Sequence, residues 1–375
     1  MLEYTKKFCD SFLEKGVPYF DLAIFKDGKS LLRYSGGHTD PEKKIPVSGK
    51  ERYNIYSCSK PITCTAALML WEKGLFSLDD RLSDYMPEFS QMYVKTEDGV
   101  KKAENPILIH HLFEMTAGFS YNVFSPVFDE CRKNTDGKCP TREAIKCLAK
   151  DPLLFEPGTK WEYSLCHDVL AALVEVISGE KFEDFVKKNI FDVLGMKDST
   201  FMLPENELDT IAPQYAFQNG KAVAIAKNIR SYKLGAQYAS GGAGGISTVD
   251  DYIKFLEGLR TYKLLKPETL TLMTTDRTAH LGRVVINHGY GLGVRCSCGI
   301  YGNSDFGWGG AASAYLAVDM ENALSVYIGM HLLGSPVQGA RSMLYNLIRA
   351  ELFEPSYVET VLGELTKLHG YELTY

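Results

Sequence analysis

The sequence predicts an α+β protein of the α/β class: an antiparallel sheet flanked by N- and C-terminal helices, with a mainly helical segment inserted between the two halves of the sheet. Three observations carry this expectation. A hairpin signal comes early, strand-like runs joined by a tight turn come late, and residues 76–205 between them read as loops and helices. The 375 residues also exceed what a single hydrophobic core comfortably fills. Two lobes are therefore expected, 1–75 with 206–375 around the sheet and 76–205 as the helical insertion, with the active site in the cleft between them.

Each element has its own signal. In MLEYTKKFCDSFLEKG, Phe8 and Phe12 fall one helical turn apart among Glu3, Asp10 and Glu14, which gives an amphipathic helix and not the apolar core of a signal peptide. YFDLAIFKDGKSLLRYSGG is apolar on both sides of a Lys26-Asp27-Gly28 turn, a hairpin. NIYSCSKPITCTAALMLWEKG passes from a short extended run into helical periodicity, with Gly74 placed to stop it. The insertion holds a polar stretch at 95–106 and the helix LCHDVLAALVEVISG, ended by Gly179. A glycine-rich loop in SGGAGGISTVDDYIKFLEGL leads into a helix announced by Ser247, Thr248, Asp250 and Asp251. Strand-like HGYGLGVRCS, SAYLAVDM and ALSVYIGMHL follow, the last two joined at Glu321-Asn322, and VQGARSMLYNLIRAEL closes the chain as a helix.

Composition narrows the function. A formal charge of -6 and the lack of a dense Lys/Arg run argue against a nucleic-acid partner. No stretch reaches the roughly 18 apolar residues of a membrane span, so the expectation is no membrane and a cytoplasmic location. The nine cysteines are odd in number, irregularly spaced and without CxxC, which points to reduced, buried thiols and to no metal site. Cys296 and Cys298 flank Ser297 and would share one face of a strand.

Ser-x-x-Lys occurs twice, at Ser57 to Lys60 and at Ser178 to Lys181. Gly179 terminates a helix beside Ser178, so nothing holds Lys181 one turn away. Ser57 stands where an extended run enters a helix, and residues three apart there share a face, which brings Lys60 to its hydroxyl. Pro61 suits such a first turn. A serine hydroxyl is a poor nucleophile until a neighbouring base takes its proton, and a helix start offers N–H groups to an oxyanion. Lys60 is expected as the base partner. His110 and His111 lack metal spacing and read as structural; His167, four residues after Tyr163, reads as a packed or surface histidine. No GxSxG motif is present, so an α/β-hydrolase elbow is not supported.

SCSKPIT, FSLDDRLSDYMPEF, ILIHHLFEMTAGF, FEPGTKWEYS, VLGMKDSTF, GGISTVDDYIKFL and FGWGGAASAYLAVDM occur in an order that resembles the serine β-lactamase and penicillin-binding protein superfamily, in its class C-like branch and the related carboxylesterases. The resemblance spans about residues 19–350 and implies a β-lactamase-like fold. It implies Ser57 as acylated nucleophile, Lys60 as motif lysine and Tyr163 as the tyrosine completing the proton relay. It places Trp308-Gly309-Gly310 on a strand beside Ser57 as a substrate-binding edge, with the Ser57 and Ala311 N–H groups as the oxyanion hole.

Two departures shift the expected substrate. Leu165 stands where β-lactam-active relatives carry an amide that contacts substrate, and Trp308 replaces a cationic or imidazole side chain that holds a carboxylate. A more apolar pocket favours small esters over amides, lactams and D-amino-acid peptides. A ligand-binding domain without turnover is the remaining alternative. No cofactor is implied, and the oligomeric state stays open.

Overall fold

The computed structural model describes residues 2–227, 232–282, 284–285, 288–297 and 304–371. After helix α1 (Glu3–Glu14) come strands β1 (Tyr19–Lys26), β2 (Lys29–Asp40) and β3 (Ile45–Pro46). Helices α2 (Ser59–Glu72), α3 (Cys166–Ser178) and α4 (Val249–Arg260) follow. The chain then adds β4 (His288–Tyr290), β5 (Arg295–Ser297), β6 (Asp305–Gly309), β7 (Tyr315–Asp319) and β8 (Leu324–Met330). Helices α5 (Met343–Phe353) and α6 (Val358–His369) complete it.

The eight strands form one antiparallel sheet in the order β4-β5-β6-β7-β8-β1-β2-β3, so the late strands join the early hairpin through the β1–β8 pairing. The hairpin turn uses Asp27 (φ 52°) and Gly28 (φ 76°), both left-handed, as a tight two-residue connection requires. All seven residues of β8 are buried because both sheet faces are covered. On one face Tyr252 of α4 stacks on Tyr327 at 4.1 Å, and Ser325 donates to Glu257 (2.6 Å). On the other face Tyr345 of α5 bonds Asp319, while Glu351 accepts the Tyr4 and Thr5 N–H groups of α1 (2.9 and 2.8 Å).

Helix α2 packs on α3 and is buried continuously from Ser59 to Leu68, which is why, Lys60 apart, that stretch is apolar or small on every face. The eight described cysteines are free thiols, and all but Cys147 are buried.

Local differences from the sequence expectation have simple causes. The HGYGLGVRCS run is two strands, β4 and β5, folded back at Gly291–Val294; Gly293 takes φ 90°, and a Cβ there would strike Cys64 Sγ at 2.2 Å. The polar stretch contains an exposed hairpin, Tyr93–Thr96 with Gly99–Lys102, whose side chains carry little hydrophobic alternation. Helix α6 follows the terminal helix that was expected to close the chain. Cys298 lies outside the described residues, and Cys296 is buried in β5.

Candidate active site

Ser57 stands in a tight 3-10 turn, Tyr56–Cys58, between a short strand and α2. The preceding strand, Tyr53–Asn54, pairs with Ile246–Ser247. Tyr56 is left-handed (φ 48°), an unfavourable conformation for a bulky residue that the surroundings must hold in place. Gln214 does so: its amide donates to the Tyr56 hydroxyl and accepts from Asn54 Nδ2 (2.8 Å). Asn54 in turn accepts from Tyr232 (3.2 Å) and donates its backbone N–H to His331 Nε2 (3.1 Å). Burial pushes His331 down to about 3, so it serves this network as a neutral acceptor.

The first turn of α2 carries Lys60 under Ser57. Its ammonium is fully buried, with Nζ 3.3 Å from Ser57 Oγ and 2.8 Å from the Gly242 carbonyl. The Tyr163 hydroxyl makes a short hydrogen bond to the same Ser57 Oγ. Lys60 Nζ lies 4.5 Å from the Tyr163 ring centre and 5.2 Å from that of Tyr121, whose ring stacks parallel on Tyr163 at 5.2 Å. Burial disfavours the Lys60 charge, but Tyr121, Tyr163 and Asp168 together outweigh it and hold the lysine above its ordinary range. Burial likewise pushes the Tyr121 phenol up.

Trp308 of β6 forms the facing wall, stacked on Tyr163 at 5.8 Å and edge-on to Tyr290 at 5.1 Å. Gly309 and Gly310 are glycines for want of room: a Cβ on the first would lie 2.5 Å from Arg341 Nη2, and on the second 2.5 Å from the Ile55 carbonyl. The strand end therefore abuts the Ser57 turn, and Ala311 follows in an exposed turn where Ser313 N–H closes on Gly310 O (3.0 Å). Arg341 Nη1 donates to that Gly310 carbonyl (2.7 Å).

One expected placement differs, and the histidines stand as expected. Leu165, expected at the substrate, is 2% exposed and packed in the core at the start of α3, its N–H donating to Ser120 O (3.2 Å). Tyr163 precedes α3, which begins at Cys166, so it shares no helix face with His167. His167 is a packed residue, with Nε2 3.5 Å from Cys64 Sγ and 3.2 Å from the Phe113 carbonyl; burial lowers it to about 3. His110 pairs with Glu114 (3.0 Å), and His111 accepts the Leu108 N–H (3.1 Å), both structural roles. Among the described residues no cluster of histidine, cysteine and carboxylate side chains suits a metal.

Sequence reasoning passed over Tyr121, Asp168 and Gly242. The glycine-rich loop forms a collar on α2: Thr63 donates to Gly241 O (2.6 Å), Lys60 to Gly242 O, and Gly245 N–H to Ser59 Oγ (2.9 Å). The one available signal was that run of glycines, which demands a close backbone approach.

A serine at a helix start, a buried lysine one turn on and a tyrosine bonded to that serine thus stand together beside an antiparallel strand. The chain matches the model of the Beta-lactamase family over residues 7–348, and it belongs to that family. It is 31% identical to Esterase EstB of Burkholderia gladioli over 293 residues, 72% of each chain. It is 30% identical to Lovastatin esterase of Penicillium rubens over 325 residues, covering 75% of this chain and 80% of that one. Its fold is similar to the solved structure of EstCE1, a hydrolase with promiscuous acyltransferase activity, with TM-score 0.77 and 25% identity over 92% of this chain and 97% of that one. The protein is a serine hydrolase of the β-lactamase and penicillin-binding-protein type. Among the described residues no helix is long and apolar enough to cross a membrane.

Proposed function

We propose that the protein hydrolyses small neutral esters through an acyl-Ser57 intermediate. The short hydrogen bond between Tyr163 and Ser57, over a charged Lys60, is the observation that carries this reading. Lys60 and Tyr163 act as a coupled pair that lacks one proton; the pair takes up the Ser57 proton through Tyr163 as Oγ attacks the ester carbonyl, and the Ser57 and Ala311 N–H groups receive the oxyanion. Tyr163 then returns the proton to the leaving alkoxide, and water enters by the reverse route to release the acid. Lys60, with Nζ 3.3 Å from the same Oγ, is the other half of that pair and the base partner expected from its motif. The chemistry calls for no cofactor and no nucleic acid.

The neutral substrate follows from the wall opposite Ser57. Tyr121, Trp161, Tyr163 and Trp308 are aromatic, and an indole cannot hold a β-lactam or peptide carboxylate as a cation does. Arg341 sits on the other face of β6, against Gly309. The esterase names of two relatives agree with this choice. The division into two lobes, 1–75 with 206–375 and 76–205, belongs to the same proposal and puts the reaction in the cleft between them.

Nitrophenyl esters of increasing acyl length and a chromogenic cephalosporin, offered to the wild type and to Ser57→Ala, test the reading. Ester turnover lost in Ser57→Ala, with slow or absent cephalosporin opening, is expected. Ester turnover surviving in Ser57→Ala overturns the nucleophile; fast cephalosporin opening without esterase activity overturns the substrate class.

A further inference from the structure

We propose that Asp168 is a positioning residue of this site: its buried carboxylate faces Lys60 across Gly242 and is the counter-charge that fixes the charge and aim of the lysine. The inference rests on the Ser57, Lys60 and Tyr163 reading above.

Asp168 lies in the first turn of α3 and is 1% exposed. Its Oδ1 accepts hydrogen bonds from Tyr238 (2.7 Å) and Ser240 (2.6 Å), whereas Oδ2 has no hydrogen-bond partner among the described residues. Lys60 shows the complementary deficit, since the hydrogen bonds of its ammonium go to a hydroxyl and a carbonyl, both neutral. Gly242 locates the two charges relative to each other. A Cβ on that residue would lie 2.5 Å from Asp168 Oδ2 and 3.3 Å from Lys60 Nζ, so both atoms border the same small space. A carboxylate and an ammonium each removed from water are costly alone and compensate when they face each other.

The arrangement also couples the carboxylate to the lysine mechanically. Asp168 anchors Ser240 through Oδ1; Ser240 Oγ receives the Ala243 N–H (3.0 Å), and the carbonyl between them, on Gly242, takes the Lys60 hydrogen bond. Around Lys60 the other titratable groups are Tyr121 and Tyr163, with Cys58, Cys64, Cys166 and His167 farther out. Around Asp168 they are Tyr238, Tyr121 and Cys166. Lys60 is the one cation in this set that stays charged at neutral pH, because burial keeps His167 neutral.

Asp168→Asn keeps the shape and removes the charge. With the negative charge gone, Lys60 loses its proton more easily, so the alkaline inflection of kcat/KM for nitrophenyl acetate moves to lower pH by about one pH unit, and kcat falls about tenfold with KM within about twofold. A residue that only packed α3 would lower activity evenly at all pH values. An Asp168→Asn protein with the wild-type melting curve and the wild-type pH profile overturns the proposal. Should that variant fail to fold, Gly242→Ala keeps every charge and wedges a methyl group between the two; it is expected to shift the same inflection downward, and a wild-type profile there overturns the proposal equally. Turnover surviving in Ser57→Ala overturns the underlying site and the Asp168 role with it, whereas an inactive Ser57→Ala beside an unshifted Asp168→Asn overturns the Asp168 role alone.

Discussion

The chain contains the same four-residue pattern in two places, and only one of them brings its lysine to its serine. At Ser57 the pattern begins a helix, so the side chains three apart stack on one face and Lys60 Nζ comes within 3.3 Å of the hydroxyl. At Ser178 it ends one. There Gly179 turns left-handed (φ 72°), Ser178 Oγ donates back to Val174 O (2.6 Å), and Lys181 is exposed at the start of the next short helix. The environments differ as much as the geometry: Lys60 is sealed beneath two tyrosines and a glycine-rich collar, whereas Lys181 keeps its water. Spacing alone carries no chemistry; helix position and burial give it meaning.

That contrast can be broken at either end. Lys60→Met removes the buried charge, and esterase kcat is expected to fall by roughly 10³-fold, with Tyr163→Phe next at roughly 10²-fold and KM little changed in both. Steady-state kinetics on nitrophenyl acetate checks the order; a Lys60→Met enzyme within a few-fold of wild type would remove the distinction between the two patterns. The smallest effect is expected from Ser178→Ala combined with Lys181→Met. Its kcat/KM should stay within about twofold and its unfolding free energy within about 1 kcal/mol by denaturant titration, since it loses one helix-end hydroxyl and an exposed charge.

Much of the frame was legible in the sequence because its signals are local. The Asp27-Gly28 turn, the Thr248 cap that accepts the Asp251 N–H (3.1 Å), and Gly74 and Gly179 as helix ends all stand where the residues placed them. The pairing of the late strands with the first hairpin also followed, since both segments are apolar and need partners. The parts that were not legible depend on tertiary packing. Tyr121 comes from a loop with no periodicity and reaches Tyr163 only because Glu162 N–H and Leu165 N–H bond back to Met115 O (3.0 Å) and Ser120 O (3.2 Å). Asp168 looks like an ordinary acid in a first helical turn, yet its carboxylate faces Tyr238 and Ser240 from a distant loop. Leu165 was expected at the substrate because the family resemblance placed it there, but the start of α3 turns it inward.

The most direct test of the central claim is to label the enzyme with a nitrophenyl alkylphosphonate, which leaves a stable phosphonyl ester on an activated serine, and to map the adduct by peptide mass spectrometry. One adduct per chain on the peptide carrying Ser57, absent from Ser57→Ala and from the peptide carrying Ser178, is the predicted result. Stoichiometric labelling of any other residue, or labelling that persists in Ser57→Ala, would contradict it.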